Sequence, residues 1–172
     1  SVTDHATVTA NITAKALTVS GITALDKGYD GNATATLDTS LINYGGLVSG
    51  DTLTGTYSGV FDNANVGTGK TVTITSSYGG TDVNNYTITD QASTTADISA
   101  KALTATASTA NKTYDGTTTA TTTLTFSGLV GSETLGQTVG STFDNKNVGT
   151  GKSVTVNSIT LADGTGLAAN YS

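Results

Sequence analysis

An all-β chain, built as two tandem small β-sandwich-like repeat domains arranged end to end, is predicted by three observations. The block Phe61-Asp62-Asn63-Ala64-Asn65-Val66-Gly67-Thr68-Gly69-Lys70 returns as Phe143-Asp144-Asn145-Lys146-Asn147-Val148-Gly149-Thr150-Gly151-Lys152 with only the fourth residue changed. One supersecondary unit is therefore duplicated, and each copy must bury its own apolar face. Thr is the commonest residue, 39 of 172, beside 21 Gly and no Pro; with Val, Ile and Tyr it suits a pleated, half-buried surface, while turns rest on Gly, Asn and Asp. Finally, short runs alternate apolar with polar residues, and no segment sustains a helical apolar period.

Further matching blocks set the period. Ile12-Thr13-Ala14-Lys15-Ala16-Leu17-Thr18 matches Ile98-Ser99-Ala100-Lys101-Ala102-Leu103-Thr104 at an offset of 86, and Lys27-Gly28-Tyr29-Asp30-Gly31 matches Lys112-Thr113-Tyr114-Asp115-Gly116 at 85. Gly46-Leu47-Val48 matches Gly128-Leu129-Val130 at 82, and Asn85-Tyr86 matches Asn170-Tyr171 at 85. The offset shrinks and recovers as loops lengthen and shorten while strands keep register. The domains expected are residues 15–100 and 101–172, preceded by residues 1–14 as the closing strand of an earlier repeat.

Residues 1–14 place Val2, Ala6, Val8, Ala10 and Ile12 on even positions, with Asp4 the exception, and polar residues on odd ones, the pattern of a half-buried strand. Leu17 and Val19 open the first repeat, and Tyr29-Asp30-Gly31 marks a turn. Strands are expected at 33–37, 53–61, 70–75, 86–88 and 92–98, with Gly45-Gly46 and Gly50-Asp51 between the first two. The second repeat retraces them at 103–107, 119–126, 135–143, 152–156 and 159–161 and reaches Tyr171-Ser172 without a counterpart of 92–98.

Charge narrows the partners. A net charge of −6 with only 7 Lys and Arg argues against nucleic acid, whose phosphates demand many basic contacts. Zero Cys excludes disulfides and zinc thiolate sites. No apolar run approaches the ~20 residues of a membrane-spanning helix, so no membrane insertion is expected.

Residues that imitate chemical motifs have simpler readings. Gly69-Lys70-Thr71 and Gly151-Lys152-Ser153 look like the end of a phosphate-binding loop, but Ala64 and Lys146 stand where its first Gly belongs, and a strand follows instead of a helix. His5 is the only imidazole and its counterpart is Gln91, so it reads as a solvated strand residue. Asp30 and Asp115, like Asp62 and Asp144, fall in turn sequences where Asp bonds nearby backbone. Tyr29 and Tyr114 are expected to lay their rings on the core edge. Calcium is the strongest alternative chemistry, at Asp62/Asn65 and Asp144/Asn147, because hard cations want clustered oxygens. Each cluster lacks a second nearby acid, so the reading stays with no catalytic, cofactor or metal site and no cofactor. Asn11, Asn32, Asn85, Asn111 and Asn170 begin Asn-x-Ser/Thr sequences, which a Thr-rich chain produces readily.

Taken together, Lys-x-Tyr-Asp-Gly, Gly-Leu-Val-x-x-Asp/Glu-Thr-Leu, Phe-Asp-Asn-x-Asn-Val-Gly-x-Gly-Lys and Asn-Tyr, followed by Ile-x-x-Lys-Ala-Leu-Thr, resemble the YDG repeat of large bacterial filamentous-haemagglutinin-like surface adhesins. Where family members often carry Pro before the Lys of the linking strand, this chain has Ala14 and Ala100. The resemblance implies a secreted stalk on the bacterial cell surface, a spacer that projects a binding tip and is not an enzyme. The alternative is an adhesive module gripping a glycan or matrix polymer, which calls for exposed aromatics at matching places in both repeats. Residues 1–14 match the strand that closes the first repeat, so Val2, Ala6, Val8, Ala10 and Ile12 are expected to join neighbouring repeats or copies of the chain by strand addition.

Overall fold

The computed structural model describes residue 5 and residues 7–172. Among these the chain is all-β, with several small sheets and no α-helix. The strands are β1 (Lys15–Ser20), β2 (Thr23–Ala24), β3 (Lys27–Gly28), β4 (Thr34–Ala35), β5 (Leu37–Asp38), β6 (Asn43–Gly45), β7 (Thr54–Phe61), β8 (Gly67–Gly79), β9 (Tyr86–Thr89) and β10 (Ser93–Ser99). They continue with β11 (Thr104–Thr109), β12 (Thr122–Ser127), β13 (Leu135–Phe143) and β14 (Val154–Asp163). Single 3₁₀ turns, Val83–Asn85 and Ala168–Asn170, precede Tyr86 and Tyr171.

Contacts divide the chain into two units that do not coincide with the two repeats. The first holds residues up to Leu25, Thr34–Asp62 and Lys70–Ala96; the second holds Asp26–Ala33, Asn63–Gly69 and Asp97–Ser172. Two loops and the end of β10, all from the first repeat, thus group with the second repeat.

In the first unit β1 pairs antiparallel with β6 and in parallel with β9, with Lys15 opposite Tyr86 and Thr18 opposite Thr89. Period-2 alternation puts Leu17 and Val19 on one face of β1. With Ile22, Ile74 and Tyr86 they make the buried cluster, against which Leu37, Ile42, Leu53 and Tyr57 pack. The β7–β8 hairpin runs from Thr54 opposite Gly79 to Phe61 opposite Val72. The short β4 borders β7, and β8 lies between β7 and β10.

In the second unit β11 pairs with β12, and β13 with β14, the latter with an irregularity at Gly140/Ser141. A parallel bridge between Lys101 and Tyr171 repeats the Lys15–Tyr86 register of β1 and β9. From the first repeat, the end of β10 lies parallel to β3, with Ile98 opposite Lys27 and Ser99 opposite Gly28.

Several predicted elements differ. Residues 7–14 form no strand, and Val8 and Ile12 are 86% and 101% exposed, whereas a half-buried strand was predicted. Alternation makes a strand only where a neighbour supplies ladder hydrogen bonds, and among the described residues none pairs with this segment. Val2 and Ala6 lie outside the described residues. The run expected at 33–37 splits into β4 and β5, which serve different partners, β7 and β2. Strand β6 has no counterpart among the predicted strands, and the two runs predicted at 152–161 merge into β14.

Candidate functional site

The most elaborate polar cluster, all of it in the second unit, is built around Glu133. Tyr29 donates its phenol to Glu133 Oε1 at 2.7 Å, Tyr171 donates to Glu133 Oε2, and the Val130 N–H donates to the Tyr171 oxygen at 3.0 Å. The tyrosine rings meet edge to face, 5.5 Å apart at 81°, the arrangement the ring quadrupoles favour. Both are buried, at 6% exposure each.

Local sequence aims these groups. The Tyr29 N–H donates to the Ser99 carbonyl at 2.9 Å, fixing the turn against the end of β10. Asp30 closes the turn by accepting the Asn32 N–H at 3.0 Å and pairing with Lys27 Nζ at 2.7 Å. Gly31 has φ +80, and a Cβ there would stand 2.8 Å from Val130 Cγ1; both the left-handed backbone and the close approach require glycine. The pair of phenols holds the Glu133 carboxyl below its ordinary range, with Tyr171 the larger influence and Tyr29 the next. In return Tyr29 is pushed up to about 12, first by its bond to Glu133 and then by burial.

Asn170, 2% exposed, makes a second contact. Its Oδ1 accepts the Val66 N–H at 3.0 Å and its Nδ2 donates to Asn65 Oδ1 at 3.1 Å. Both amide functions of a buried side chain are thereby satisfied. Of the five Asn-x-Ser/Thr asparagines this one is buried, while Asn11, Asn32, Asn85 and Asn111 are exposed.

The calcium candidates are occupied differently. Asp62 pairs with Lys70 at 2.7 Å and Asp144 with Lys152 at 2.9 Å, so an ammonium already faces each carboxylate. The Lys152 bond also lowers the Asp144 pKa. Asn63 and Asn145 use their side-chain oxygens on the N–H groups of Asn65 and Asn147. Among the described residues no group of three or more His, Cys, Asp or Glu converges. His5 is exposed.

The second copy of the Tyr-Asp-Gly turn behaves differently from the first. Tyr114 is 59% exposed, not laid on a core edge as expected, and Val148, the counterpart of Val66, is 89% exposed. Asp115 still pairs with Lys112 at 2.8 Å, and that bond, with help from Thr117, holds it down to about 2. The turn is therefore the same, and the covering is not. Toward the chain's start, Tyr86 donates to Asp51 Oδ2 and accepts the Val48 N–H at 3.0 Å, the same arrangement as Tyr171, Glu133 and Val130. Glu133 and Asn170 carry the site although neither was singled out for it; the signal was the acid that follows Gly-Leu-Val in both repeats, Asp51 and Glu133.

Residues 13–96 and 99–172 each match the YDG domain family. No curated protein and no solved structure matches the chain.

Proposed function

As the chain belongs to the YDG domain family, with two copies covering most of its length, we propose that it is a structural spacer: stalk repeats of a secreted bacterial surface adhesin or fibre, extracellular, holding a binding tip away from the cell. One observation carries this reading. The residues that join the turn of one repeat to the next recur in both repeats, as Tyr29 and Tyr114, Asn65 and Asn147, Asp51 and Glu133, Asn85 and Asn170, Tyr86 and Tyr171. A joint whose two halves are both present in every repeat suits an array of any length, in which stability accumulates through nearest-neighbour contacts.

The glycan-binding alternative asks for aromatics at matching places. Tyr44, Tyr57 and Tyr78 cluster in the first repeat, with Tyr44 and Tyr57 hydroxyls 2.9 Å apart and the Tyr57 and Tyr78 rings 6.1 Å apart. By strand register their counterparts are Phe126, Val139 and Leu161. The cluster is not repeated, which favours the spacer.

Small-angle scattering tests the proposal. Strands of ~8–10 residues rising ~3.3 Å each make domains some 30 Å long, so a spacer has a largest dimension of roughly 60–70 Å. A particle no longer than one compact globule of this mass contradicts it.

A further inference from the structure

Three tyrosines and an aspartate of the first unit form a connected row. Tyr44, from β6, and Tyr57, from β7, touch through their hydroxyls at 2.9 Å. The rings of Tyr57 and Tyr78, from β8, meet edge to face with centroids 6.1 Å apart at 74°, and Tyr78 donates its phenol to Asp90. The strands aim these groups. Tyr57 and Gly55 share one face of β7, Gly55 stands opposite Tyr78, and a Cβ on Gly55 would lie 2.0 Å from the Tyr57 oxygen, so the phenol fills the space that the glycine leaves. Strand β6 brings Tyr44 from the other sheet, where it stands opposite Val19 of β1. All three rings pack half-buried against the cluster of Leu17, Val19, Ile22, Ile74 and Tyr86, and Asp90 is exposed.

Burial, followed by the contact with Tyr44, pushes the Tyr57 phenol up, and burial followed by the Asp90 bond does the same to Tyr78. Both keep their protons at neutral pH, so the chemistry left to them is loss of an electron and a proton together. That loss needs a proton acceptor at the hydroxyl, and Asp90 is one for Tyr78. The joint at Glu133 is built differently. The Tyr29 and Tyr171 rings are 5.5 Å apart, but their hydroxyls go to separate oxygens of one carboxylate, whereas those of Tyr44 and Tyr57 touch each other.

We propose that Tyr44 and Tyr57 are a site of oxidative cross-linking, joined ring to ring as o,o′-dityrosine when a haem peroxidase and hydrogen peroxide act on the chain. The new bond lies between the ring carbons beside the hydroxyls, so the product holds its two hydroxyls side by side, as these two already are. Tyr78 gives the first electron and passes its proton to Asp90. Tyr57 then refills Tyr78, which recovers the proton from Asp90, and Tyr57 sheds its own proton through the Tyr44 hydroxyl to solvent. A second oxidation takes one electron and one proton from Tyr44, the two ortho carbons bond, and each ring returns to a phenol as its ortho hydrogen moves to oxygen. Two electrons and two protons leave in all, and one hydrogen peroxide takes them up to become two waters. The link ties β6 to β7 in a chain that has no Cys for a disulfide. In the second repeat Phe126, Val139 and Leu161 stand at these positions, none of them a phenol. The proposal goes beyond the spacer reading and does not rest on it.

Treated with haem peroxidase and hydrogen peroxide, the dilute chain loses the mass of two hydrogens and gains dityrosine fluorescence. Cut before its aspartates, it yields Asp38–Gly50 joined to Asp51–Phe61. Tyr44→Phe removes only a hydroxyl, keeps the circular dichroism of the native chain and abolishes the joined fragments. Tyr114→Phe, at an exposed phenol, leaves them. Asp90→Asn, whose amide accepts a hydrogen bond but no proton, slows their appearance several-fold. Joined fragments that persist in Tyr44→Phe, a link between Tyr29 and Tyr171 in their place, chains coupled through Tyr114 with no link inside the chain, or an Asp90→Asn rate equal to the native one overturns the proposal. Each of those results leaves the chain's scattering dimension, and hence the spacer reading, as it was.

Discussion

Tyr29 and Glu133, 104 residues apart in sequence, stand 2.7 Å apart as phenol and carboxylate. The bond ties a turn of the first repeat to a loop of the second, with the phenol buried, the carboxylate half-buried and the acceptor charged. Hydrogen bonds of that kind contribute more than neutral surface ones.

Tyr29→Phe therefore lowers unfolding free energy by about 1.5–3 kcal/mol in urea titrations. Tyr114→Phe, in the same sequence block but 59% exposed, changes it by no more than about 0.5 kcal/mol at concentrations where the chain is single. Equal losses in the two variants contradict the assignment.

The alkaline limb of stability follows from the same bond. Tyr29 is raised from 10.0 to about 12 in the folded chain, so the folded state holds its proton where the unfolded state has lost it. That contribution is full below pH 10 and disappears as pH rises through about 12. Thermal melts between those values fall more steeply for the native chain than for Tyr29→Phe.

Acid acts through the opposite sign. Asp115 is held down to about 2 from 3.8, first by Lys112 and then by Thr117, and Glu133 is lowered by Tyr171 and Tyr29. Their contribution is full above the unfolded carboxylate values and is lost as pH falls toward 2. Lys112→Met reduces the dependence on pH in that window.

Ile98→Ala removes a side chain that is 1% exposed and costs about 2–5 kcal/mol. Ile12→Ala, the same residue of the repeat in an uncovered setting, costs nothing measurable in a dilute chain. Calcium and chelator give the same melting temperature, since the Asp62 and Asp144 carboxylates face lysines and a ligand that does not bind the native state does not stabilise it.

Much of the fold was legible because its signals are local. Leu17 and Val19 alternate within β1, and Thr54–Phe61 and the run from Lys70 carry the β7–β8 hairpin on their own pattern. What depends on a neighbour was not. Residues 7–14 have the alternation of β10, but among the described residues none pairs with them, so the same pattern gives a strand in one place and an exposed segment in the other. Tyr29 and Tyr114 share a turn sequence, yet one is covered by Val130, Glu133 and Tyr171 and the other is open. The site itself was half visible: its acid sits in a repeated block, but its use emerges only when Tyr29 and Tyr171 are brought to it from distant sequence. Asn170 begins one of five Asn-x-Ser/Thr sequences that a Thr-rich chain produces readily, and nothing in that pattern marks its bonds to Val66 and Asn65.

That the tyrosine–carboxylate joint holds a turn of the first repeat to the second repeat within the second unit is tested most directly by the distance between labels on the two sides of that joint. The chain has no Cys, so Thr68→Cys on β8 of the first repeat and Thr160→Cys on β14 of the second, exposed strand positions that both lie in the second unit, accept two spin labels and no others. Pulsed dipolar spectroscopy of the doubly labelled chain gives one narrow distance distribution, which broadens when Tyr29→Ala and Glu133→Ala are introduced. A distribution already broad in the native joint, or one unchanged by its removal, contradicts the account.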